Sequence, residues 1–399
     1  MKAMKAMKAT ETASPSIAAA PAVPAQDPLL DVFERTGLEI VRGEGVTVED
    51  AKGRRYLDFY GGHAVAALGY GHEKLLRALA DQAQRLMFQT SVVDLEVRTR
   101  AAARLVRFAP KGLTRVFFVN SGAEANENAL RIAFLVTKRP RVVAVRGAFH
   151  GRTAAAAAIT DHAEGWYAFP RTPFDVTWVP FDDEAALHAA VDGGVAAVIL
   201  EPVQGVAGAR ALSKPFVQAA RAAATKSGAL LILDEVQIGV GRSGHPFAAD
   251  HFGVVPDLLT TAKGIAGGFP CGALLVIERL AAQIKKGQLG TTFGGGPLAC
   301  ALVDATLRAI EEEHLLERVR RVSRRIFESC RVGPVERIQG LGLLIGLKLT
   351  KPAKEVLVTL RERGILAGGS HDQNVVRLLP PLIMEEEHVG PLVDALVSC

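Results

Sequence analysis

Cysteine is scarce in this sequence and is never paired at short spacing. The 399 residues include four cysteines, Cys271, Cys300, Cys330 and Cys399, and no two of them form a C-x-x-C pair. This spacing excludes a disulfide framework and a zinc ribbon, because both need clustered cysteines. We therefore expect reduced thiols in a cytoplasmic protein, and no metal site.

Long apolar runs and a strong excess of one charge are also absent. No stretch of about 18 residues is apolar throughout, so no transmembrane helix and no membrane partner are predicted. Lys and Arg number 47 against 42 Asp and Glu, and this small excess without a basic stripe argues against a nucleic-acid partner. With 49% hydrophobic residues, the chain can bury a large core, and its length suggests about two or three domains.

The phosphate-binding motifs of nucleotide enzymes are missing as well. No G-x-x-x-x-G-K-[ST] segment accompanies the acidic end of the run LLILDE, so nothing there would hold a triphosphate. Gly239, Gly241 and Gly244 match G-x-G-x-x-G, but a His-Pro dipeptide follows where a dinucleotide site needs a helix. Neither class of nucleotide enzyme is predicted.

The sequence does contain a regular alternation of apolar runs and helix-forming segments. Apolar runs without polar alternation, separated by helices, are typical of a mostly parallel sheet covered on both faces, an α/β architecture. Ligands of such sheets bind beyond the carboxyl ends of the strands. The predicted strands are 115–120, 141–146, 196–201, 230–234 and 272–277, and the predicted helices are 123–138 and 215–227.

The two ends of the chain differ from this pattern. Residues 1–27 repeat Met-Lys-Ala and then turn to Ala, Pro and Ser, which predicts a disordered tail. The C-terminal region predicts a smaller α+β unit. Its predicted elements are helix 315–328, strand 341–349, helix 354–364, strand 375–379 and helix 385–397.

Candidate chemistry lies at the predicted strand ends. Ser121 precedes helix 123–138, where free backbone N–H groups and the helix dipole form an anion site. A plain N-cap with Glu124 in a capping box explains the same residues, and the two interpretations are compatible. After the next strand, Phe149 could stack on a flat ring and Arg152 could bind a carboxylate, although an ordinary turn stays open as an interpretation.

Asp234 and Lys263 complete this set of strand-end residues. Asp234 ends the apolar run 230–234, and Lys263 follows another short apolar segment. Alone, the aspartate could be a turn residue and the lysine a surface residue. Together with an anion site and an aromatic ring, they match the needs of pyridoxal 5'-phosphate. The aspartate would keep a ring nitrogen protonated, the lysine would form a Schiff base, and the helix N-terminus would hold a phosphate.

The sequence resembles the class III aminotransferases in motifs that occur in the family's order. They are NSGAEANENA, FHGRT, EPVQG, LDEVQIGVGRSG, TTAKGIAGGFP and TTFGGGPLA, and the resemblance extends over residues 28–399. It implies the fold-type I architecture, with a large PLP-binding domain at 76–304 and a small domain built from 28–75 and 305–399. The nearest branch resembles acetylornithine and ornithine aminotransferases, whose homodimer shares its active sites across the subunit interface.

The resemblance also implies roles for individual residues. Lys263 would be the Schiff-base lysine and later the proton carrier, and Asp234 would pair with the pyridinium nitrogen. Further cofactor contacts would come from Ser121, Gly122, Ala123, Phe149, Glu235, Val236 and Gln237, and across the subunit interface from Thr292. The residues implied in substrate binding are Arg152, Arg377 and Thr291, and those implied in supporting the site are Glu201 and His150.

These roles imply transfer of an amino group to 2-oxoglutarate. The best match for the donor is N2-acetyl-L-ornithine, which would give a semialdehyde and glutamate and belong to arginine biosynthesis. One departure from the family pattern bears on the donor. Val206 stands where ornithine-type members carry a glutamate that masks the arginine matched by Arg377. A milder departure is Gly296 in place of asparagine.

Other functions stay open from the sequence alone. Ornithine, succinylornithine, 4-aminobutyrate or a carrier-bound lysine are alternative donors, and the same lysine and aspartate can serve an aminomutase, a racemase or a decarboxylase. A PLP-binding regulator without turnover is a remote alternative. The pair Arg152 and Arg377 favours transamination with 2-oxoglutarate over racemisation.

Overall fold

A computed structural model describes residues 28–399 of the chain. The described part of the N-terminal unit, residues 28–39, contains no helix or strand, and Ile40–Cys399 forms a separate compact unit. The tail predicted at 1–27 lies outside the described residues. No helix between residues 28 and 399 is long and apolar enough to cross a bilayer.

A sheet of seven strands forms the centre of the compact unit. In order across the sheet, the strands are Leu113–Val119, Gly272–Ile277, Leu258–Thr261, Leu230–Asp234, Val195–Leu200, Arg141–Val145 and Asp175–Val179. All are parallel except Gly272–Ile277, which is antiparallel to both of its neighbours. The predicted mostly parallel sheet is therefore confirmed. The direction of strand 272–277 could not be predicted from its sequence. A strand buried on both faces is apolar throughout whether it runs parallel or antiparallel to its neighbours.

Helices cover both faces of this sheet. In the strand Leu230–Asp234, Leu231 and Leu233 belong to one apolar cluster, and Leu230 and Ile232 belong to another. Adjacent strand residues point to opposite faces, so each face has its own buried core. The helices of this part are Glu73–Arg85, Glu96–Phe108, Gly122–Thr137, Ala154–Ala158, Glu184–Ala190, Lys214–Ser227, Ala248–Phe252, Glu278–Ala281 and Pro297–Glu312.

Two smaller sheets are built from the ends of the compact unit. One pairs N-terminal strands with a short C-terminal strand, and its members in order are Ile40–Glu44, Thr47–Asp50, Arg55–Asp58 and Ile365–Leu366. The other consists of Val335–Leu341, Leu344–Leu349 and Val375–Leu378. The domain boundaries expected near residues 75 and 304 stay a prediction.

The single strand predicted at 341–349 is wrong, because the chain turns inside it. Leu341 ends one strand and Leu344 begins the next, and Gly342 lies between them with a φ of +58°. A Cβ at Gly342 would come 2.1 Å from the carbonyl oxygen of Arg242, so the turn requires glycine. Apolar residues on both sides of the turn concealed it. The helices of the C-terminal region are Leu315–Ser329, Ala353–Glu362, the 3-10 helix Glu386–His388 and Val389–Val397.

Candidate active site

A cavity of about 420 Å³ lies at the carboxyl edge of the central sheet. It is lined by residues at or just after the ends of five strands, as expected where parallel strands end together. The lining includes ten of the predicted site residues, which are Ser121, Gly122, Ala123, Phe149, His150, Glu201, Asp234, Val236, Gln237 and Lys263. The structure thus brings the four strand-end segments of the sequence to one place.

The N-terminus of helix Gly122–Thr137 opens into this cavity. Ser121 caps the helix by accepting a hydrogen bond from the N–H of Glu124 at 3.2 Å. The carboxylate of Glu124 accepts the N–H of Asn120 at 3.0 Å, one residue earlier than the usual capping box. A Cβ at Gly122 would lie 2.7 Å from a methyl carbon of Val236, so only glycine lets these two segments meet. The predicted cap is therefore present, and the anion site at the same helix end stays a prediction.

Asp234 is held in a fixed orientation inside the cavity wall. Its Oδ2 accepts hydrogen bonds from Asn126 Nδ2 and His150 Nδ1, each at 2.7 Å, and its Oδ1 accepts the N–H of Val236 at 3.0 Å. The hydroxyl of Thr260 donates to Asn126 Oδ1 at 2.8 Å and so orients the amide. With Asp234 only 4% exposed, these donors replace the water that a carboxylate needs. Sequence reasoning missed Asn126, although it lies inside the quoted NSGAEANENA motif.

Lys263 begins the 3-10 turn Lys263–Ala266 with its backbone in the left-handed region, at a φ of +48°. A lysine rarely adopts this conformation, and such strain clusters at functional sites. Burial lowers the pKa of Lys263, and the positive charges of Arg377 and Arg242 act in the same direction. Asp234 and Glu201 oppose them. The net lowering makes the neutral amine, which is the nucleophilic form, accessible closer to neutrality.

Glu201 lies behind the cavity and joins two of its loops. Its carboxylate oxygens accept the N–H of Phe149 at 2.7 Å and the N–H of Gly205 at 3.2 Å. Burial raises the pKa of Glu201 to about 7, and the neighbouring charge of Asp234 acts in the same direction. The side chain therefore holds the aromatic loop against the turn that follows strand Val195–Leu200.

Arg377 is 5% exposed and is held without a carboxylate partner. Its Nε donates to the carbonyl of Gly369 at 2.6 Å, its Nη1 to the carbonyl of Gly205 at 3.1 Å, and its Nη2 to the hydroxyl of Tyr60 at 3.0 Å. Across residues 28–399, no carboxylate oxygen lies within the 4.0 Å of a salt bridge to this guanidinium. Val206, directly after Gly205, lines the cavity in place of the family's glutamate.

At a left-handed turn, Tyr60 contacts Arg377 and His63 contacts Tyr60, and sequence reasoning missed both side chains. Gly61, Gly62, His63 and Ala64 all have positive φ angles, an arrangement that costs about 1–2 kcal/mol for each non-glycine residue. Tyr60 Oη lies 2.8 Å from Nδ1 of His63, and their ring centroids are 4.7 Å apart. Burial and the charges of Arg377 and Lys263 lower the pKa of His63. The Gly-Gly-His sequence was the available signal for this turn.

Five predicted site residues do not line the cavity, since Arg377 is buried outside it and the other four point elsewhere or stay at the surface. Glu235 faces away from the cavity and accepts the N–H groups of Ala248 at 2.5 Å and Ala249 at 2.8 Å, so it caps helix Ala248–Phe252. Burial raises its pKa to about 8. Arg152 is exposed, with its guanidinium 4.6 Å from the ring centroid of Trp166. The other two, Thr291 and Thr292, do not line the cavity.

The residues around the cavity fit pyridoxal 5'-phosphate. Two buried polar atoms there, Gln237 Oε1 and His150 Nε2, have no hydrogen-bond partner within the described part of the chain. A helix N-terminus suits a phosphate, a strand-end aspartate suits a protonated ring nitrogen, and a lysine with a lowered pKa suits an aldehyde carbon. The unpaired oxygen of Gln237 can accept a hydrogen bond from a ring hydroxyl.

Comparison with known proteins gives a consistent result. The family model for class-III aminotransferases matches residues 32–399. The acetylornithine aminotransferase of Streptomyces coelicolor is 43% identical over 377 residues, which cover 93% of each chain. The LysW-aminoadipate semialdehyde transaminase of Deinococcus radiodurans is 39% identical over 91% of this chain and 86% of that protein. A solved structure of Toxoplasma gondii ornithine aminotransferase matches with a TM-score of 0.88 at 29% identity, covering 93% of this chain and 91% of that one. This chain therefore belongs to the class III aminotransferases and has their fold-type I architecture.

Proposed function

We propose that this aminotransferase moves the terminal amino group of N2-acetyl-L-ornithine to 2-oxoglutarate, giving a semialdehyde and glutamate. The observation that carries the reaction type is the cavity in which Lys263, Asp234 and the N-terminus of helix Gly122–Thr137 meet. Family membership and the donor set both support pyridoxal 5'-phosphate as the cofactor. The relative from Streptomyces coelicolor, an acetylornithine aminotransferase, supports the donor. Such a reaction would belong to arginine biosynthesis in the cytoplasm.

The proposed roles follow from where each side chain lies. Backbone N–H groups of Gly122 and Ala123 and the hydroxyl of Ser121 would bind the phosphate at the helix N-terminus. Phe149 would pack on the ring, and Gln237 Oε1 would accept a hydrogen bond from the ring hydroxyl. Asp234 keeps the ring nitrogen protonated because its fixed, buried carboxylate supplies the balancing charge.

Lys263 is the residue that would transfer the proton. When bound, the cofactor supplies an electron sink for the substrate carbon that loses its proton. The Nζ atom of Lys263 would take up that proton and pass it on to the cofactor, which requires an amine with a pKa closer to neutrality than that of an exposed lysine. Burial lowers the pKa of Lys263, and the negative charges of Glu201 and Asp234 limit how far it falls. Cavity walls such as Phe149 keep bulk water away from the reacting carbon.

The donor follows from the surroundings of Arg377. Its hydrogen bonds go to two backbone carbonyls and the Tyr60 hydroxyl, and no carboxylate between residues 28 and 399 forms a salt bridge with it, although the charge of Glu201 acts on it from a greater distance. The side chain of Val206 cannot accept a hydrogen bond, whereas that of the family's glutamate would. A donor with a cationic α-amine is therefore repelled, and a donor with a neutral N-acyl group and a carboxylate is favoured. Arg152, at the surface, is the candidate for a second carboxylate.

The donor preference can be tested with Val206→Glu. We expect kcat/KM for ornithine relative to acetylornithine to rise about tenfold or more, because the new carboxylate would pair with Arg377 and accept the ornithine ammonium. Initial rates with both donors and 2-oxoglutarate provide the measurement. Val206→Gln is the matched control, since it has nearly the same size without the charge, and its ratio should stay near that of the parent protein.

Two results would contradict this donor assignment. One is a parent protein that prefers free ornithine, and the other is a donor ratio that shifts equally in the glutamate and glutamine variants. Because a relative from Deinococcus radiodurans is a LysW-aminoadipate semialdehyde transaminase, an N-acylated lysine belongs in the same panel. If the protein prefers that longer donor, N-acylated lysine would replace acetylornithine as the assigned donor. The proposed effect of Val206 on Arg377 would be unchanged.

An exposed apolar surface beside Thr292 supports a homodimer with shared active sites. Phe293 is 66% exposed and lies 5.3 Å from the ring centroid of Phe88. The chain on either side of Phe88 has further exposed apolar side chains, which are Leu86, Met87, Val92 and Val93. Such a patch suits a second copy of the chain. In that dimer, Thr291 and Thr292 would approach the other subunit's substrate and phosphate, which explains why neither lines the cavity of its own chain.

The dimer can be tested with Phe293→Asp. A charge in the centre of an apolar interface should convert the protein to monomers, which sedimentation would detect, and activity should fall with the dimer. Phe327→Asp is the control, because Phe327 is an exposed phenylalanine on helix Leu315–Ser329. A parent protein that sediments as a monomer at micromolar concentration would rule out the shared site.

A further inference from the structure

Arg242 is a buried arginine whose hydrogen bonds have no part in the reaction described above. It lies in the glycine-rich segment 239–244, which matched a dinucleotide pattern without its structural context, and it is 2% exposed. No carboxylate oxygen between residues 28 and 399 lies within salt-bridge distance of it. Burial alone lowers its pKa to about 9. A buried guanidinium without a counter-charge is destabilising, so its presence here calls for a compensating role.

The guanidinium donates to carbonyls of three separate chain segments. Its Nη1 donates to Pro380 at 2.8 Å and to Leu343 at 3.1 Å, and its Nη2 donates to Ala64 at 3.4 Å. Its own carbonyl accepts the N–H of Leu343 at 2.8 Å. A planar guanidinium with five N–H groups is the side chain that can hold several carbonyls at fixed angles.

Two of these segments carry the side chains that surround the proposed substrate carboxylate. Ala64 is the last residue of the left-handed turn that positions Tyr60 and His63, and Pro380 follows the strand that bears Arg377. The two segments also contact each other, since the N–H of Leu379 donates to the carbonyl of Phe59 at 2.6 Å. Arg242 therefore lies where the turn and the arginine strand meet.

We propose that Arg242 is a positioning residue that ties the left-handed turn to the Arg377 strand and so sets the geometry of the substrate-carboxylate site. The effect of Arg242 on substrate binding rests on the proposed function of Arg377. The link that Arg242 forms between the two segments rests only on its hydrogen bonds to the carbonyls of Ala64, Leu343 and Pro380. Without the planar guanidinium of Arg242, the strained turn can relax. Tyr60 and Arg377 then no longer keep their positions relative to each other.

The test is Arg242→Lys, which keeps the positive charge but removes the planar fork. We expect the dissociation constant of 2-oxoglutarate from the holoenzyme, measured by calorimetry, to rise about tenfold or more, because small displacements of binding groups are costly. The kcat at saturating substrates should change much less. Hydrogen exchange should accelerate in residues 59–67 and 378–382 and stay unchanged in strand Leu230–Asp234. Should the lysine variant not fold, Arg242→Gln removes the buried charge and retains two N–H donors.

Arg139→Lys is the matched control, because Arg139 also donates to a backbone carbonyl, that of Val195 at 3.0 Å, away from the cavity. It should change neither 2-oxoglutarate binding nor exchange in the two segments. An unchanged dissociation constant in the Arg242 variants, or faster exchange spread evenly over the whole chain, would overturn the proposal. A parent protein that binds 2-oxoglutarate but does not transaminate would instead contradict the proposed function, while the binding and exchange results would still decide the role of Arg242.

Discussion

The variant Lys263→Ala should lose transamination by about four orders of magnitude or more, because in the proposed reaction one side chain provides both the covalent attachment and the proton transfer. In the structure, this lysine lies in the cavity at a φ of +48°, and its surroundings lower its pKa. Alanine can adopt the same backbone with similar strain, so the fold should persist. Initial rates with the best donor and 2-oxoglutarate provide the measurement.

A second measurement identifies the lysine directly. Borohydride reduction should fix the cofactor to the peptide that contains residue 263, where mass spectrometry would find it, and the alanine variant should carry no such mass. Lys286→Ala is the control, since Lys286 is an exposed lysine. Near-normal turnover in Lys263→Ala, or a label on another lysine, would show that the assignment is wrong.

The variant Asp234→Asn should retain cofactor and lose turnover by about 100-fold or more, since a fixed charge is removed with little change of shape. Asn126 and His150 both donate to Asp234 Oδ2, so a neutral amide there would also disturb their hydrogen bonds. Cofactor content is measured by visible absorbance, and both half-reactions are followed by stopped flow. Unchanged rate constants would mean that the carboxylate is structural only.

Asp257→Asn is the matched control for Asp234→Asn. Asp257 is also buried and lies one residue before strand Leu258–Thr261, whereas Asp234 is at the end of its own strand. Its carboxylate pairs with Arg221 at 2.7 Å and Arg279 at 3.0 Å, away from the cavity. We expect a loss of stability with turnover retained in the folded protein. The pair of variants separates the charge at the ring nitrogen from the general cost of neutralising a buried aspartate.

The central sheet and much of the cavity could be predicted from the sequence because their signals are local. Apolar runs such as 195–200 have no polar alternation, and the polar residue that ends each strand must lie at the carboxyl edge. Ser121 and Asp234 were found in this way. Strand direction was not predictable for 272–277, because burial on both faces leaves no trace of direction in the sequence.

The contacts that complete the site were not predictable, because they join distant positions. Asn126 donates to Asp234 across 108 residues, and Arg377 donates to Tyr60 across 317. Glu235 shows the opposite error, since the residue next to a site aspartate points to the other side and caps a helix. A motif specifies which residues occur together in the sequence. Only the three-dimensional structure shows which of them face the same cavity.

The hydrogen bond between Tyr60 and Arg377 also has a consequence for synthesis of the chain on the ribosome. At about 5–20 residues per second, the tyrosine emerges roughly 15–60 s before the arginine that it must meet. During this interval the N-terminal strands lack their partner Ile365–Leu366, and apolar side chains such as Val48 are open to chaperones. The contact between Tyr60 and Arg377 can therefore be made only after the central sheet has had time to form.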